Sequence, residues 1–506
     1  MRKMNRRAIL TGGGSIAGLL VLGGRESWTA DDSAAFAEPL GTDSARVLSQ
    51  AAPSTLPIPP LLSPPLKDGT RTFSLTLQAG QMEFEPGTPV DTLGINGPYL
   101  GPTLRATQGD PVAFTVANQI GGPTTLHWHG MHLPAMMDGG PHQEIADGET
   151  WRLDWTINQE AATLWYHPHL MGATRDQVTA GAVGLFILDD DNPAQAALPH
   201  DYGVDDIPLI MQGYGVEDGR LAPDDQSGIL VNGALEPVLV TDQTRLRLRL
   251  LNATDDRIFS LGFDGDVSFA QVASDGGLLS GPVPLTRLQL GVAERAEIVV
   301  DLVDLPDDTP LVLQRFGGGR GGRGGRGAGD DDTGGQTTTL MTIQRSGVLE
   351  AQAATLSPLP VRLNTIARFD PAAVAVTRPM DLGGGRRQRT INGQSMTSAA
   401  DMADMANTLQ VRLGDLERWD VVNTSNDTHV FHVHDVQFQI LERNGVLPEP
   451  GELGRKDSVV VRPGETVPLL MLFEDYADPM MPYMFHCHIL QHEDQGMMGQ
   501  FVVLPN

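Results

Sequence analysis

The chain has 506 residues, a net charge of −28 and a single cysteine, enough material for two to four domains with large cores. So acidic a balance excludes nucleic acid and anionic membrane as natural partners and raises the local concentration of cations. One cysteine cannot form an intrachain disulfide, so Cys487 needs another explanation.

In chain order, "MRKMNRRAILTGGGSIAGLLVLGG" opens with basic residues and runs into a weakly apolar segment from Ala8 to Leu22, and "AFA" at 35–37 offers a small-residue cleavage site. Residues 1–37 are expected to be an export signal, giving a periplasmic, cell-surface or secreted protein. Arg6-Arg7 followed by Ile9-Leu10 resembles the twin-arginine motif, with Ile9 and Thr11 where Phe and Lys are commoner. That route carries proteins already folded, which suits a cofactor loaded before export. No other run reaches transmembrane length, so no membrane contact is expected beyond the signal. A proline-rich lead-in follows at 38–67.

Beyond it helical periodicity is scarce. Short alternating runs such as "VAFTVANQI", "TRLRLRLLNAT" and "GQFVVLP" are separated by Gly, Pro, Asp and Asn, which reads as all-β sandwiches. Three stretches share one plan: "INGPYLGPTLRATQGDPVAFTVANQ" (95–119), "VNGALEPVLVTDQTRLRLRLLNAT" (231–254) and "INGQSM…LQVRLGDLERWDVVNTS" (391–425). Each has an Asn-Gly turn, two strands and a closing asparagine, Asn118, Asn252 or Asn423. Three copies predict three related β domains, at 68–195, 196–348 and 360–506. The segment "FGGGRGGRGGRGAGDDDTGGQ" (316–336) interrupts a hairpin of the second. In an acidic, exported chain it reads as a surface loop rather than an RNA-binding repeat.

Ten of the thirteen histidines fall in four clusters, "HWH" (127–129), "HPH" (167–169), "HVFHVH" (429–434) and "HCHILQH" (486–492). Residues two apart on a strand share a face, so each His-x-His pair offers two imidazoles to one side. Four pairs give eight imidazoles, two clusters from the first predicted domain and two from the third. No single metal needs eight; three metals at an interface between those domains would use them all. By the same alternation Cys487 faces away from His486 and His488 and belongs to a different site, with His429, His492 and Met497 left to join it. Two histidines, a thiolate and a weak axial thioether form the ligand set of a blue copper electron-transfer centre.

"HWHG", "WYHPH", "HVFHVH" and "HCHILQHEDQGMM" resemble, in that order, the four copper motifs of the three-domain multicopper oxidases, and the resemblance spans nearly all of the chain beyond the signal. It implies three cupredoxin-like Greek-key β-sandwich domains in tandem holding four copper ions. By position, His429, Cys487, His492 and Met497 would bind type 1 copper, with Met498 the rival axial ligand. His127 and His432 would bind type 2; His129, His167 and His488 would hold one type 3 copper, and His169, His434 and His486 the other. Asp138 in "MDGGP" and Glu493 in "HEDQG" would stand beside the cluster and deliver protons. The implied activity couples four one-electron oxidations to reduction of dioxygen to two waters, with electrons taken up through an exposed edge of His429 or His492. His132, His142 and His200 match no motif and are expected to be ordinary surface or loop residues, and Trp128 and Tyr166 packing groups.

Two donor classes compete. A phenol or aryl amine needs only an open apolar surface. A metal-ion donor needs carboxylates or thioethers near type 1, for which Met396, Met402, Met405, Met480, Met481 and Met484 are candidates. Broad laccase-like activity on a monomer is the preferred expectation. The alternative from another class is a copper-binding protein without turnover; members of the fold that lose their metals lose ligands first, and none is missing here.

Overall fold

The alternation read from the sequence becomes pleat. In the strand Arg71–Glu85, Phe73, Leu75 and Leu77 turn one way into a buried core while their neighbours face outward. The computed structural model describes residues 54–222, 228–303, 305, 309–317, 337–346, 356–385 and 388–506. The expected export signal, the lead-in up to residue 53 and the Gly/Arg-rich loop from residue 318 to 336 lie outside them.

Among the described residues the strands form six sheets, two in each third of the chain. The first pair has a six-stranded sheet built on Arg71–Glu85 and Pro111–Gln119, and a five-stranded one in which His127–His129 is an edge strand beside Thr163–His167. The middle pair has seven and five strands, the former running through Arg245–Asn252 and Arg295–Asp301. In the last pair, a five-stranded sheet carries His429–Val433 between Ser458–Val461 and Asp478–Cys487. Each pair closes over its own apolar core, centred on Phe114 and Phe186, on Phe259 and Phe263, and on Trp419 and Phe431.

The internal repeat has a structural counterpart. Asn96, Asn232 and Asn392 all sit at φ between 51° and 57°, a left-handed conformation that asparagine tolerates. The closing asparagines are buried and do one job three times. Asn118, Asn252 and Asn423 each donate from Nδ2 to two backbone carbonyls, of Gly122 and Ile145, Arg257 and Leu290, and Asp427 and Val461 respectively. Each side chain ties a strand end to a loop whose carbonyls would otherwise be buried unpaired.

Two short segments join the first and middle pairs of sheets. Leu61–Leu62 lies parallel to Thr103–Leu104, while Thr55 bridges to Val238. Arg220 pairs with Asp91, so the chain returns to the first pair after starting the second. The proline-rich lead-in thus takes part in both sheets rather than only spanning a gap.

Candidate metal centre

Four strands bring the histidine clusters together. In the first pair of sheets His127 lies opposite His167 and His129 opposite Trp165. In the last, His432 lies opposite His486 and Phe431 opposite Cys487. Successive residues point to opposite faces, so His432 and His486 look out of that sandwich while Phe431 and Cys487 look into its core. The two outward faces meet. The rings of His127 and His434 stack at 3.8 Å, and those of His129 and His432 at 3.8 Å. All eight imidazoles of the four His-x-His pairs are buried.

Their ring nitrogens divide into held and bare. His127 Nδ1 is 2.8 Å from the Asp138 carbonyl, His167 Nδ1 2.8 Å from that of Pro168, and His432 Nδ1 2.7 Å from that of Asp457. A carbonyl can only accept, so each Nδ1 carries the proton and each Nε2 is left as a lone pair. His129 is reversed, with Nε2 3.0 Å from Asp457 Oδ1. The nitrogens left over, Nε2 of His127, His167 and His432, Nδ1 of His129 and both of His488, are buried without a hydrogen-bond partner among the described residues. A cluster of bare, buried lone pairs is costly unless a cation meets it.

A third group shows the same logic at closer range. His434 Nδ1 is 2.8 Å from Asp138 Oδ2, and Glu493 spans His169 Nδ1 at 3.2 Å and His486 Nδ1 at 3.3 Å. The three Nε2 atoms then converge, His486 standing 3.1 Å from His169 and 3.2 Å from His434. Lone pairs so close repel unless a metal lies between them. Burial, with the neighbouring rings, holds His127, His129, His432, His434 and His488 well below the ordinary histidine range. Burial also lowers His167 to about 3 and His169 to about 4. Neutral imidazole is the ligating form.

On the core side of the same strand, Cys487 Sγ lies 3.5 Å from His429 Nδ1 and 3.5 Å from His492 Nδ1, which are 3.2 Å apart. Burial pushes the thiol up to about 12, so the thiolate needs a cation to exist there. Met497 is fully buried in the core that holds Cys487, whereas Met498 packs with Met396 and Met484 in a separate thioether cluster. These residues fit copper. A His₂Cys triangle with a thioether in its core suits a blue centre, and an all-imidazole set suits a metal that cycles between oxidation states.

Comparison with known proteins agrees with this chemistry. Two family models described as multicopper oxidase match residues 76–193 and 374–506. A multicopper oxidase, mco, from Staphylococcus aureus is 32% identical over 459 residues, covering 88% of this chain and 91% of that one. The chain belongs to the multicopper oxidase family. It is also similar to a cell division protein, FtsP, from Sodalis glossinidius, 34% identical over 467 residues covering 90% of this chain and 94% of its relative. The crystal structure of a laccase from Pediococcus acidilactici superposes with a TM-score of 0.79 at 30% identity, covering 90% of this chain and 94% of that one. The sandwiches are thus cupredoxin-like. The activity is that of an oxidoreductase using copper to couple one-electron oxidation of donors to four-electron reduction of dioxygen to water.

Two expectations need correction. His429 and His492 are 0% and 1% exposed, so neither expected ligand offers an edge to solvent. His429 Nε2 instead reaches Ser425 Oγ at 2.8 Å, and the Arg389 guanidinium, paired with Asp427 at 2.5 Å, lies close enough to hold both rings further below their ordinary range after burial. His132 is no loose surface residue: it is half-buried between Asp435 at 2.7 Å and Asp475 at 3.0 Å. His142 lies in a turn, as expected of a loop residue, half-buried and 2.9 Å from Gln500 Oε1. Only His200 of the three is exposed. Trp128 and Tyr166 pack in the first core.

Sequence reasoning missed Trp165, which stacks on His167 at 4.1 Å, and the ligand-orienting Asp457. Trp165 follows from "WYHPH", since a residue two before a ligand shares its face. Asp457 carries no local signal.

Proposed function

We propose that four copper ions occupy two centres in this chain. His429, Cys487, His492 and Met497 hold type 1 copper. His127 and His432 hold type 2, while His129, His167 and His488, and His169, His434 and His486, hold the type 3 pair. The single observation that carries this is the alternation at Cys487, whose sulfur closes a triangle with two imidazoles on one face while His486 joins the converging Nε2 atoms on the other. When bound, copper supplies one-electron chemistry at the first centre and reduction of dioxygen at the second. Cys487 and its neighbours give the two centres a covalent link.

Asp138 and Glu493 are assigned complementary parts. Burial and the nearby Asp435 push Asp138 well above the usual carboxylate range. Its Oδ2 accepts from His434, which leaves Oδ1 to hold a proton. Burial would raise Glu493 too, but the electrostatic effect of His169 and His486, at 3.2 and 3.3 Å, outweighs it and holds this carboxyl far below its ordinary range. Neighbouring carboxyls pushed apart divide acid from base. Asp138 delivers protons to the oxygen site, and Glu493, kept ionised, orients the rings of His169 and His486.

The donor we assign is a phenol or aryl amine. Met396 and Met484 are spent in their own buried cluster rather than set out as thioether ligands for a metal-ion donor. The relative named as a laccase supports the same choice. Identity does not separate oxidase from the relative named for cell division, and completeness of the ligand set favours turnover. We further assign export through the twin-arginine-like signal, a monomer, and domain limits at 68–195, 196–348 and 360–506, which the three separate cores support.

The test is copper loading followed by spectroscopy. The loaded protein should contain four coppers and show an intense blue thiolate-to-copper band, which Cys487→Ser abolishes without unfolding the chain. A fully loaded wild type without blue colour would remove the type 1 assignment, and blue protein that consumes no oxygen with a phenolic donor would remove the oxidase reading.

A further inference from the structure

Among the described residues the middle pair of sheets contributes no proposed ligand, yet it sends Arg295 to the cluster. Arg295, at the start of the strand Arg295–Asp301, is 1% exposed. A guanidinium has five N–H donors in a rigid fork, and here every one has an acceptor. Nε donates to the Thr163 carbonyl at 3.0 Å, Nη1 to the Ala293 carbonyl at 3.0 Å and Asp457 Oδ1 at 2.7 Å. Nη2 donates to the Asp275 carbonyl at 3.2 Å and Asp457 Oδ2 at 2.5 Å. Arg295 therefore joins all three sandwiches and grips Asp457 with both tines.

Asp457 in turn serves two proposed ligands from different sandwiches. Its Oδ1 is 3.0 Å from His129 Nε2, and its carbonyl is 2.7 Å from His432 Nδ1. Those bonds decide which nitrogen of each ring is bare. Ser458 Oγ donates to the same Oδ1 at 3.0 Å. The neighbouring glycine of "HWHG" fits the arrangement: at φ +82°, a Cβ on Gly130 would meet Asp457 Oδ2 at 2.6 Å and Arg295 Nη2 at 2.7 Å.

We propose that Arg295 is a positioning residue for the copper cluster, fixing through Asp457 the tautomer and orientation of His129 and His432. The inference rests on the copper assignment above and adds a task for the sandwich that binds no metal. Groups that orient metal ligands typically change metal affinity or activity about 10–100-fold when removed. Lysine keeps the charge but cannot reproduce the fork.

Arg295→Lys decides it, read by copper content and electron paramagnetic resonance as well as oxygen uptake. The expected result is an unchanged blue type 1 signal, cluster copper reduced in content at the site His129 serves or altered in the type 2 hyperfine pattern through His432, and turnover at least 10-fold lower. Arg249→Lys is the control, because Arg249 makes an equally buried pair with Asp206 at 2.7 Å but touches no proposed ligand. It should cost stability and leave both copper signals as they were. If Arg295→Lys does not fold, Asp457→Asn, which keeps the shape but breaks the charged grip on His129, must show the same loss at the cluster with type 1 unchanged. A folded Arg295→Lys or Asp457→Asn with wild-type copper content, type 2 signal and turnover overturns the proposal, as does an equal change in Arg249→Lys. A wild type lacking any type 2 signal would instead sink the copper assignment, and this inference with it.

Discussion

Asp138 and Glu493 show how position alone separates two carboxyls. Both are buried against imidazoles. Asp138 meets one ring N–H and the negative field of Asp435, whereas Glu493 stands 3.2 and 3.3 Å from ring nitrogens of His169 and His486 and feels their field. If Asp138 supplies protons, turnover falls as pH rises through its elevated pKa, because the acid form is lost. Asp138→Asn should slow oxygen consumption by about 10²-fold or more, since general acids contribute about 10²–10⁴-fold, and abolish that alkaline limb while copper content and colour persist. Glu493→Gln should slow turnover less and leave the limb in place. Identical pH profiles for wild type and Asp138→Asn would contradict the assignment.

His132 provides a residue-scale prediction about stability. Burial alone would lower its pKa, but Asp435 and Asp475 raise it to about 9 from 6.5. The folded state therefore binds the proton more tightly than the unfolded chain. Its contribution is fully present below about 6.5 and is lost as pH climbs through about 9, and from the size of the shift it is at most roughly 3 kcal/mol. Wild type should lose melting temperature over that window more steeply than His132→Gln. Parallel curves would mean that the ring is not charged in the fold.

At the scale of elements, the edge strand His127–His129 and its turn carry the greatest constraint. The strand ends directly after its second histidine, and Gly130 permits the left-handed step there. Gly130→Ala adds backbone strain and a clash with a buried ion pair, together about 2–4 kcal/mol. Gly148, at φ +80° with nothing within 4 Å of a Cβ, isolates the strain. Denaturant unfolding should therefore show Gly130→Ala clearly less stable than Gly148→Ala, and equal losses would exclude the contact with Asp457. The segment after His492 is also instructive. Glu493 lies in the short helix Leu490–Asp494, not on a strand, yet still reaches the cluster because the helix packs against the strand that bears His486.

For the whole molecule, the site is a seam. Its imidazoles come from near both ends of the described chain, so a metal between them ties the first and last sandwiches. Binding to the folded state alone stabilises by about 4 kcal/mol at 1,000 times the dissociation constant. Stripping copper with a chelator should lower the melting temperature and reloading should restore it. An unchanged transition would show that the seam holds without metal. The buried network of Lys456, Asp275, Glu294 and Arg295 at the same seam bears on this outcome.

What the sequence determined by itself was everything carried by a short period or a repeat. Strand alternation made the all-β class legible and put Cys487 on the face opposite His486. The recurring Asn-Gly turn and closing asparagine announced three similar units, and four ordered motifs named the copper chemistry. Tertiary structure alone decided what depends on contacts between distant segments. Arg295 and Asp457 are 162 positions apart, and nothing near either one marks a partner. The burial of His429 and His492, the capture of His132 and the opposite pKa shifts of Asp138 and Glu493 likewise arise from packing, because burial and field sum over neighbours that local sequence does not contain.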